Sequence, residues 1–186
     1  LILVKVAEPE VKTSGGIILP DSVQKRPTAG EVVAVGDGNT AVGPAVTMKL
    51  TPGQTVLYSR FGIGAQDVTW ESQPYVLIRE DDCIGIMPKP GVHASDIPDM
   101  KPIGDRVLVA VQEEEGVTVG GVLLPDAAKE KPVMGVVHAV GDGKGEEEMD
   151  VAVGDKIVYF KYAGDPMETP DGRKWTVLRQ NDILCK

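Results

Sequence analysis

Apolar positions along this chain come in short blocks of four or five, each cut off by Gly, Pro or a cluster of charges. Leu1 to Val6 opens the series, followed by Gly30 to Val35, Thr55 to Ser59, Tyr75 to Arg79 and Ile84 to Met87. The series then starts again with Val107 to Val111 and runs through Gly135 to Val140, Lys156 to Phe160, Trp175 to Arg179 and Ile183 to Cys185. Blocks of this length, bounded by turn formers, predict strands and not helices. The longest unbroken apolar run, Val107 to Val111, has five residues, far short of the ~20 that a membrane-crossing helix needs.

The recurrence is a true internal repeat. Gly15-Gly16-Ile17-Ile18-Leu19-Pro20-Asp21 returns as Gly120-Gly121-Val122-Leu123-Leu124-Pro125-Asp126, a shift of 105. The same shift carries Gly30 to Gly38 onto Gly135 to Gly143. Pro52 to Tyr58 matches Val153 to Tyr159 at a shift of 101, and Val76 to Asp82 matches Thr176 to Asp182 at a shift of 100. Order is kept and length changes fall in loops, so the chain is one unit written twice. Residues 1–87 form the first domain and 102–186 the second, each long enough for a small core. Residues 88–101 are a Pro-rich linker; Pro88, Pro90, Pro98 and Pro102 predict a stiff, extended connector without helix. Within each copy the expected order is strand, long loop, strand, Gly turn, loop, strand, irregular stretch, strand and a final strand. Short strands without helices imply an all-β fold, a barrel or compact sandwich in which closure protects the edges.

Composition agrees. Val (27) and Ile (11) supply about a fifth of the 186 residues, and Gly (22) with Pro (14) nearly another fifth, which favours strands and turns over helices. Eight aromatics leave the cores small and aliphatic. The net charge of −9 speaks against nucleic acid or an anionic membrane as partner, since phosphate binding needs clustered Lys and Arg. Cys83 and Cys185 are too few for a disulfide scaffold or a four-Cys zinc site; both read as buried or half-buried thiols.

Catalytic chemistry has no visible seat. Gly36-Asp37-Gly38-Asn39-Thr40-Ala41 has the GxGxxA spacing of a dinucleotide site, but Val42-Gly43-Pro44 follows where such a site must open a helix. Gly141-Asp142-Gly143-Lys144-Gly145 lacks the Ser or Thr of a phosphate-binding loop. His93 falls in the linker and His138 on an apolar strand, read as a strand-edge residue; neither has a second ligand at metal spacing. The run Glu146 to Glu148 reads as a solvated loop tip.

The triplets Ile17-Ile18-Leu19 and Val122-Leu123-Leu124 are different. Each is apolar, follows a Gly pair, precedes Pro-Asp, and rides in a polar stretch of about twenty residues between two strands. A short buried strand would account for the pattern. A segment that orders on binding into a partner's apolar groove accounts for it better, because loops this long are usually functional and the triplet sits at the same place in both copies.

These triplets, the Gly-x-Val-x-Ala-Val-Gly-x-Gly strand and turn, and Lys101-Pro102-Ile103-Gly104-Asp105-Arg106-Val107-Leu108-Val109 closely resemble the bacterial and organellar co-chaperonins, the GroES family. Two units in one chain resemble the double-domain co-chaperonins of chloroplasts. The first copy begins in mid-strand, Leu1 aligning with Arg106, so its counterpart of Pro102 to Asp105 is absent from the sequence. The resemblance implies two tandem GroES-like irregular β-barrels, each with a long mobile loop (Val11 to Thr28, Gly116 to Pro132) and a roof hairpin (Asn39 to Leu50, Lys144 to Val151). It implies that Gly15, Gly16, Ile17, Ile18, Leu19, Gly120, Gly121, Val122, Leu123 and Leu124 bind the apical domains of a chaperonin-60 ring. ATP would be hydrolysed on that partner, and this chain, not an enzyme, would need no cofactor or metal. Ile84 to Met87 would meet Val107 to Val111 within the chain, and Leu1 to Val4 would meet Ile183 to Cys185 of a neighbour. The product would be a homo-oligomeric ring, a tetramer for example, or a ring shared with single-domain co-chaperonins. The location implied is the chloroplast stroma, with any transit peptide outside this sequence. Two rival readings are a tandem-barrel adaptor without a chaperonin partner and an enzyme related to zinc alcohol dehydrogenases. The latter would need a catalytic Cys and His and a dinucleotide domain, which the sequence does not offer.

Overall fold

A computed structural model describes residues 1–6, 28–38, 48–59, 65–90, 93–112, 133–143, 149–160 and 162–186. The chain divides into two units, Leu1–Asp99 and Met100–Lys186. The first holds β1 (Ile2–Val6), β2 (Thr28–Val35), β3 (Thr55–Tyr58), β4 (Gln66–Trp70), β5 (Gln73–Ile78) and β6 (Cys83–Ile86). The second holds the two-residue β7 (Lys101–Pro102), then β8 (Arg106–Gln112), β9 (Val133–Val140), β10 (Lys156–Tyr159), β11 (Asp165–Glu168), β12 (Lys174–Arg179) and β13 (Ile183–Cys185). Within the first unit the strand order is β4-β5-β1-β2-β3-β6 and within the second β11-β12-β8-β9-β10-β13, the same order twice.

Alternation decides which faces are buried. In the first unit Ile2, Val4, Val32, Val56, Val76, Ile78 and Ile84 point inward, with Tyr58 the largest fully buried side chain. In the second, Val107, Val109, Val137, Ile157, Tyr159 and Leu178 form the core, joined by Val151. Burial alone pushes the Tyr159 phenol up to about 12, so it stays neutral at any physiological pH.

The irregularities repeat as well. A bulge falls between Leu3 and Val4 in the first unit and between Leu108 and Val109 in the second, leaving Val33 and His138 as the extra residues of β2 and β9. The Gly53 and Gly154 amides donate to the Val32 and Val137 carbonyls, each at 2.8 Å, from turns with φ of +88° and +95° that favour glycine.

Four sequence expectations are corrected. The irregular stretch before β5 and β12 is in each unit a further strand, β4 or β11, making a hairpin. Alternation could not reveal them: all five residues of β4 are exposed, and Pro166 interrupts β11. The connector is not extended throughout, because Ala94–Asp99 forms a 3-10 helix around Pro98 that buries Asp96 and Ile97. Burial of Ile97 outweighs the stiffness that proline brings, and a 3-10 turn tolerates the missing amide. His138 lies not on a sheet edge but on β9, between β8 and β10. Cys83 is buried, whereas Cys185, near the end of the outermost strand, is exposed.

A methyl group on Gly30 would overlap the Lys5 carbonyl oxygen and Val4 Cγ1; on Gly135 it would overlap Val109 Cγ1 and lie 2.9 Å from the Ala110 oxygen. Gly135→Val should therefore destabilise the second unit by about 1–3 kcal/mol, the usual cost of forcing bulk into a packed site. Thermal unfolding followed by circular dichroism would show it as a lowered midpoint.

Candidate functional site

The strands beside the triplet-bearing segments are firmly placed. β1 ends at Val6, opposite Gly30 of β2, so the strand ends that flank residues 7–27 are neighbours. β8 and β9 repeat this, with Gln112 opposite Met134 flanking residues 113–132. Gly15, Gly16, Ile17, Ile18, Leu19, Gly120, Gly121, Val122, Leu123 and Leu124 all lie outside the described residues, as do positions 39–47 and 144–148 of the two expected roof hairpins.

The return ends of those hairpin segments are described, and each is held by a side chain that sequence reasoning missed. A 3-10 turn follows β5 at Glu80–Asp82 and β12 at Gln180–Asp182. From the first, Glu80 Oε1 accepts the Lys49 amide at 2.6 Å and the Leu50 amide at 3.0 Å. From the second, Gln180 Oε1 accepts the Asp150 amide at 2.9 Å. In each turn an aspartate folds back on the preceding arginine's amide, Asp82 on Arg79 and Asp182 on Arg179. Two residues after each clamp, a second acceptor closes a tight turn: Gln54 Oε1 takes the Thr51 amide at 2.9 Å and Asp155 Oδ2 the Ala152 amide at 3.0 Å. The signal was present in the aligned pairs Glu80/Gln180 and Gln54/Asp155. All four carry side-chain oxygens, but their identities differ, which hides the shared role.

Electrostatics distinguishes the second unit. Arg106, buried, sits 3.9 Å from the Asp165 carboxylate. Burial raises the Asp165 pKa, while Arg106 and then Arg179 pull it down. His138 meets Trp175 edge to face, ring centroids 5.0 Å apart, and the Trp175 indole N–H donates to the Thr169 hydroxyl at 3.3 Å. The Thr169 hydroxyl in turn bonds the carboxylate of Asp171, holding it below the usual carboxylate range. These contacts stitch the β11–β12 hairpin together. Among the described residues no group of three or more His, Cys, Asp or Glu could hold a metal ion.

Comparison with known proteins gives this repeated geometry a family. The chaperonin 10 kDa subunit family matches residues 1–87 and again 99–186. The chain belongs to that family, twice over. It is 38% identical over 99% of its length to the 20 kDa chloroplastic chaperonin of Arabidopsis thaliana, of which it covers 72%. It is 36% identical to the 20 kDa chloroplastic chaperonin of Spinacia oleracea, again over 99% of this chain and covering 71% of that protein. It is also similar to the co-chaperonin GroES of Parabacteroides distasonis, 48% identical over 86 residues, which is 46% of this chain and 96% of the bacterial protein. The two sheets are thus two GroES-like β-barrels in tandem, and the chaperonin 10 match leaves residues 88–98 between them.

Two predictions follow from the polar contacts. Glu80→Ala should free the Lys49 and Leu50 amides at about 1 kcal/mol of local stability, read as faster hydrogen exchange at those residues. Glu80→Gln should keep most of the protection, because Gln180 does the same work in the second unit. Arg106→Met should raise the Asp165 pKa further, visible in a carboxyl NMR titration. A carboxylate whose folded pKa exceeds its unfolded one makes stability fall as pH rises from the ordinary value through the folded value. The variant's window of falling stability should therefore extend to higher pH than that of the wild type.

Proposed function

We propose that this co-chaperonin caps the ATP-bound ring of a chaperonin-60 partner, the triplets 17–19 and 122–124 docking in apolar grooves of the partner's apical domains. The observation that carries this is the chaperonin 10 match over both halves, taken with the triplet's recurrence at the same point between the first two strands of each copy. ATP binding and hydrolysis belong to the partner, whose nucleotide state exposes the grooves; docking displaces a non-native chain into a closed cavity where it folds. A triplet burying a few hundred Å2 gains roughly 3–6 kcal/mol at ~25 cal/mol/Å2, and ordering the segment cancels much of it. One loop therefore binds weakly. A ring of loops binds strongly, since every contact after the first is intramolecular.

Ring formation is supported by the last strand. Ile84 on the last strand of the first unit is wholly buried, but its counterpart Leu184 is 47% exposed. An uncovered last strand is what pairing with a further copy of the chain in a ring would use. The chloroplastic names of the two full-length relatives support a plastid location, in the stroma.

Size-exclusion co-migration with a chaperonin-60, with and without ATP, tests the reading; binding is expected only with nucleotide. Ile18→Asp combined with Leu123→Asp should abolish co-migration and the gain in refolding yield while leaving the thermal unfolding midpoint unchanged. Undiminished refolding by the double variant would sink the loop assignment, and binding without nucleotide would favour an adaptor.

A further inference from the structure

The two barrels differ most at one sheet edge. In the second unit the edge strand β11 is guarded: Pro166 removes a ladder donor, Met167 is buried, and the hairpin is tied down through Thr169, Asp171 and Trp175. The matching strand β4 of the first unit has none of these protections. Among the described residues it pairs only with β5, all five of its residues are exposed, and it contains neither Pro nor Lys. Val68 and Trp70, two residues apart on one face, are 37% and 63% exposed. Val68 stands opposite Tyr75 in the ladder, so the face carries a small apolar platform. The hairpin turn is tight: Glu71 and Ser72 take φ of +49° and +63° between the paired Trp70 and Gln73. β4 is thus an edge strand whose outer row of backbone amides and carbonyls has no ladder partner among the described residues.

Natural proteins blunt such edges because they template pairing with another chain. A row of backbone donors and acceptors is matched only by another extended strand, with alternate side chains meeting the platform. The charge of the edge narrows the choice. From Ala65 to Ile78 the stretch holds two carboxylates, Asp67 and Glu71, and no basic residue. Cross-strand pairing then favours lysine or arginine opposite these acids.

We propose that the free edge of β4 is a strand-addition site for an extended polypeptide segment in which apolar side chains alternate with lysine or arginine. An unfolded chain offers such segments; a folded one has them already paired. The site belongs to the isolated chain and needs neither nucleotide nor chaperonin, so it stands or falls separately from the capping function.

The probe is a capped hexapeptide, Lys-Val-Lys-Phe-Lys-Val, titrated into the full chain at low salt. Tryptophan emission should shift to the blue and saturate, because Trp70 becomes covered while buried Trp175 gives a constant background. Amide exchange over residues 66–70 should slow by on the order of tenfold at saturation. Val68→Lys, which leaves the backbone ladder to β5 intact, and Thr69→Pro, which breaks the outer row, should each abolish both signals. The same peptide with Glu in place of Lys should not bind. Absence of any saturable shift, or undiminished binding by both variants, would overturn the proposal. Concentration-dependent protection of residues 66–70 without peptide, lost in Val68→Lys, would assign the edge to a second copy of this chain and overturn it equally.

Discussion

A strand crossing with no room for a side chain governs both barrels. At Gly30 and Gly135 the second strand of each unit lies so close to the first that a methyl group would overlap the neighbouring backbone or valine. That approach sits beside the Leu3/Val4 and Leu108/Val109 bulges, where one extra residue sharpens the local twist. β1 is paired on both sides, to β2 and β5, and β8 likewise to β9 and β12. A wider crossing would shift a central strand and disturb two ladders at once. It would also separate the strand ends between which the triplet-bearing segments leave and return. The strand ends that flank the triplet-bearing segments are therefore positioned by a contact that contains no functional group.

Around this shared frame the two units keep roles and exchange residues. A carboxylate and an amide, Glu80 and Gln180, hold the same backbone point, and so do an amide and a carboxylate, Gln54 and Asp155. What each place needs is an oxygen that accepts a backbone N–H, since an amide left unsatisfied at a tight turn costs more than the choice of acceptor. Elsewhere matching positions differ in burial: Ile84 is wholly buried and Leu184 is 47% exposed.

The succession of five strands in each copy and most of their bounds could be read from the chain, since the repeat provides two independent samples of one pattern. Where a run of consecutive residues is buried, as in β8 and β12, the bounds agree to within a residue or two. The hairpin strands escaped because β4 buries nothing and β11 contains proline. The 3-10 helix at Ala94–Asp99 escaped because four prolines suggested extension, and only burial of Ile97 reveals the turn. The ten triplet-region residues were singled out by position and repetition, features that belong to sequence. The clamp residues and the buried Arg106–Asp165 pair were not, because their significance lies in distances between segments that sequence spacing does not encode.

Under the proposed docking, duplication also limits how unequal the two triplets can be. Ile17-Ile18-Leu19 and Val122-Leu123-Leu124 differ by one methylene and one branching point, and a methylene is worth about 0.8 kcal/mol when fully buried. Joining two loops through folded barrels raises the effective concentration of the second, an effect that reaches roughly 10²- to 10⁴-fold in avidity, or several kcal/mol. Linkage thus outweighs the difference between the triplets. Under the proposed docking the weaker triplet would cost little as long as both reached their grooves together, which would leave the surfaces of the two barrels free to diverge. The guarded edge of β11 and the open edge of β4 are divergence of that kind, carried by residues that touch neither the triplets nor the crossing glycines.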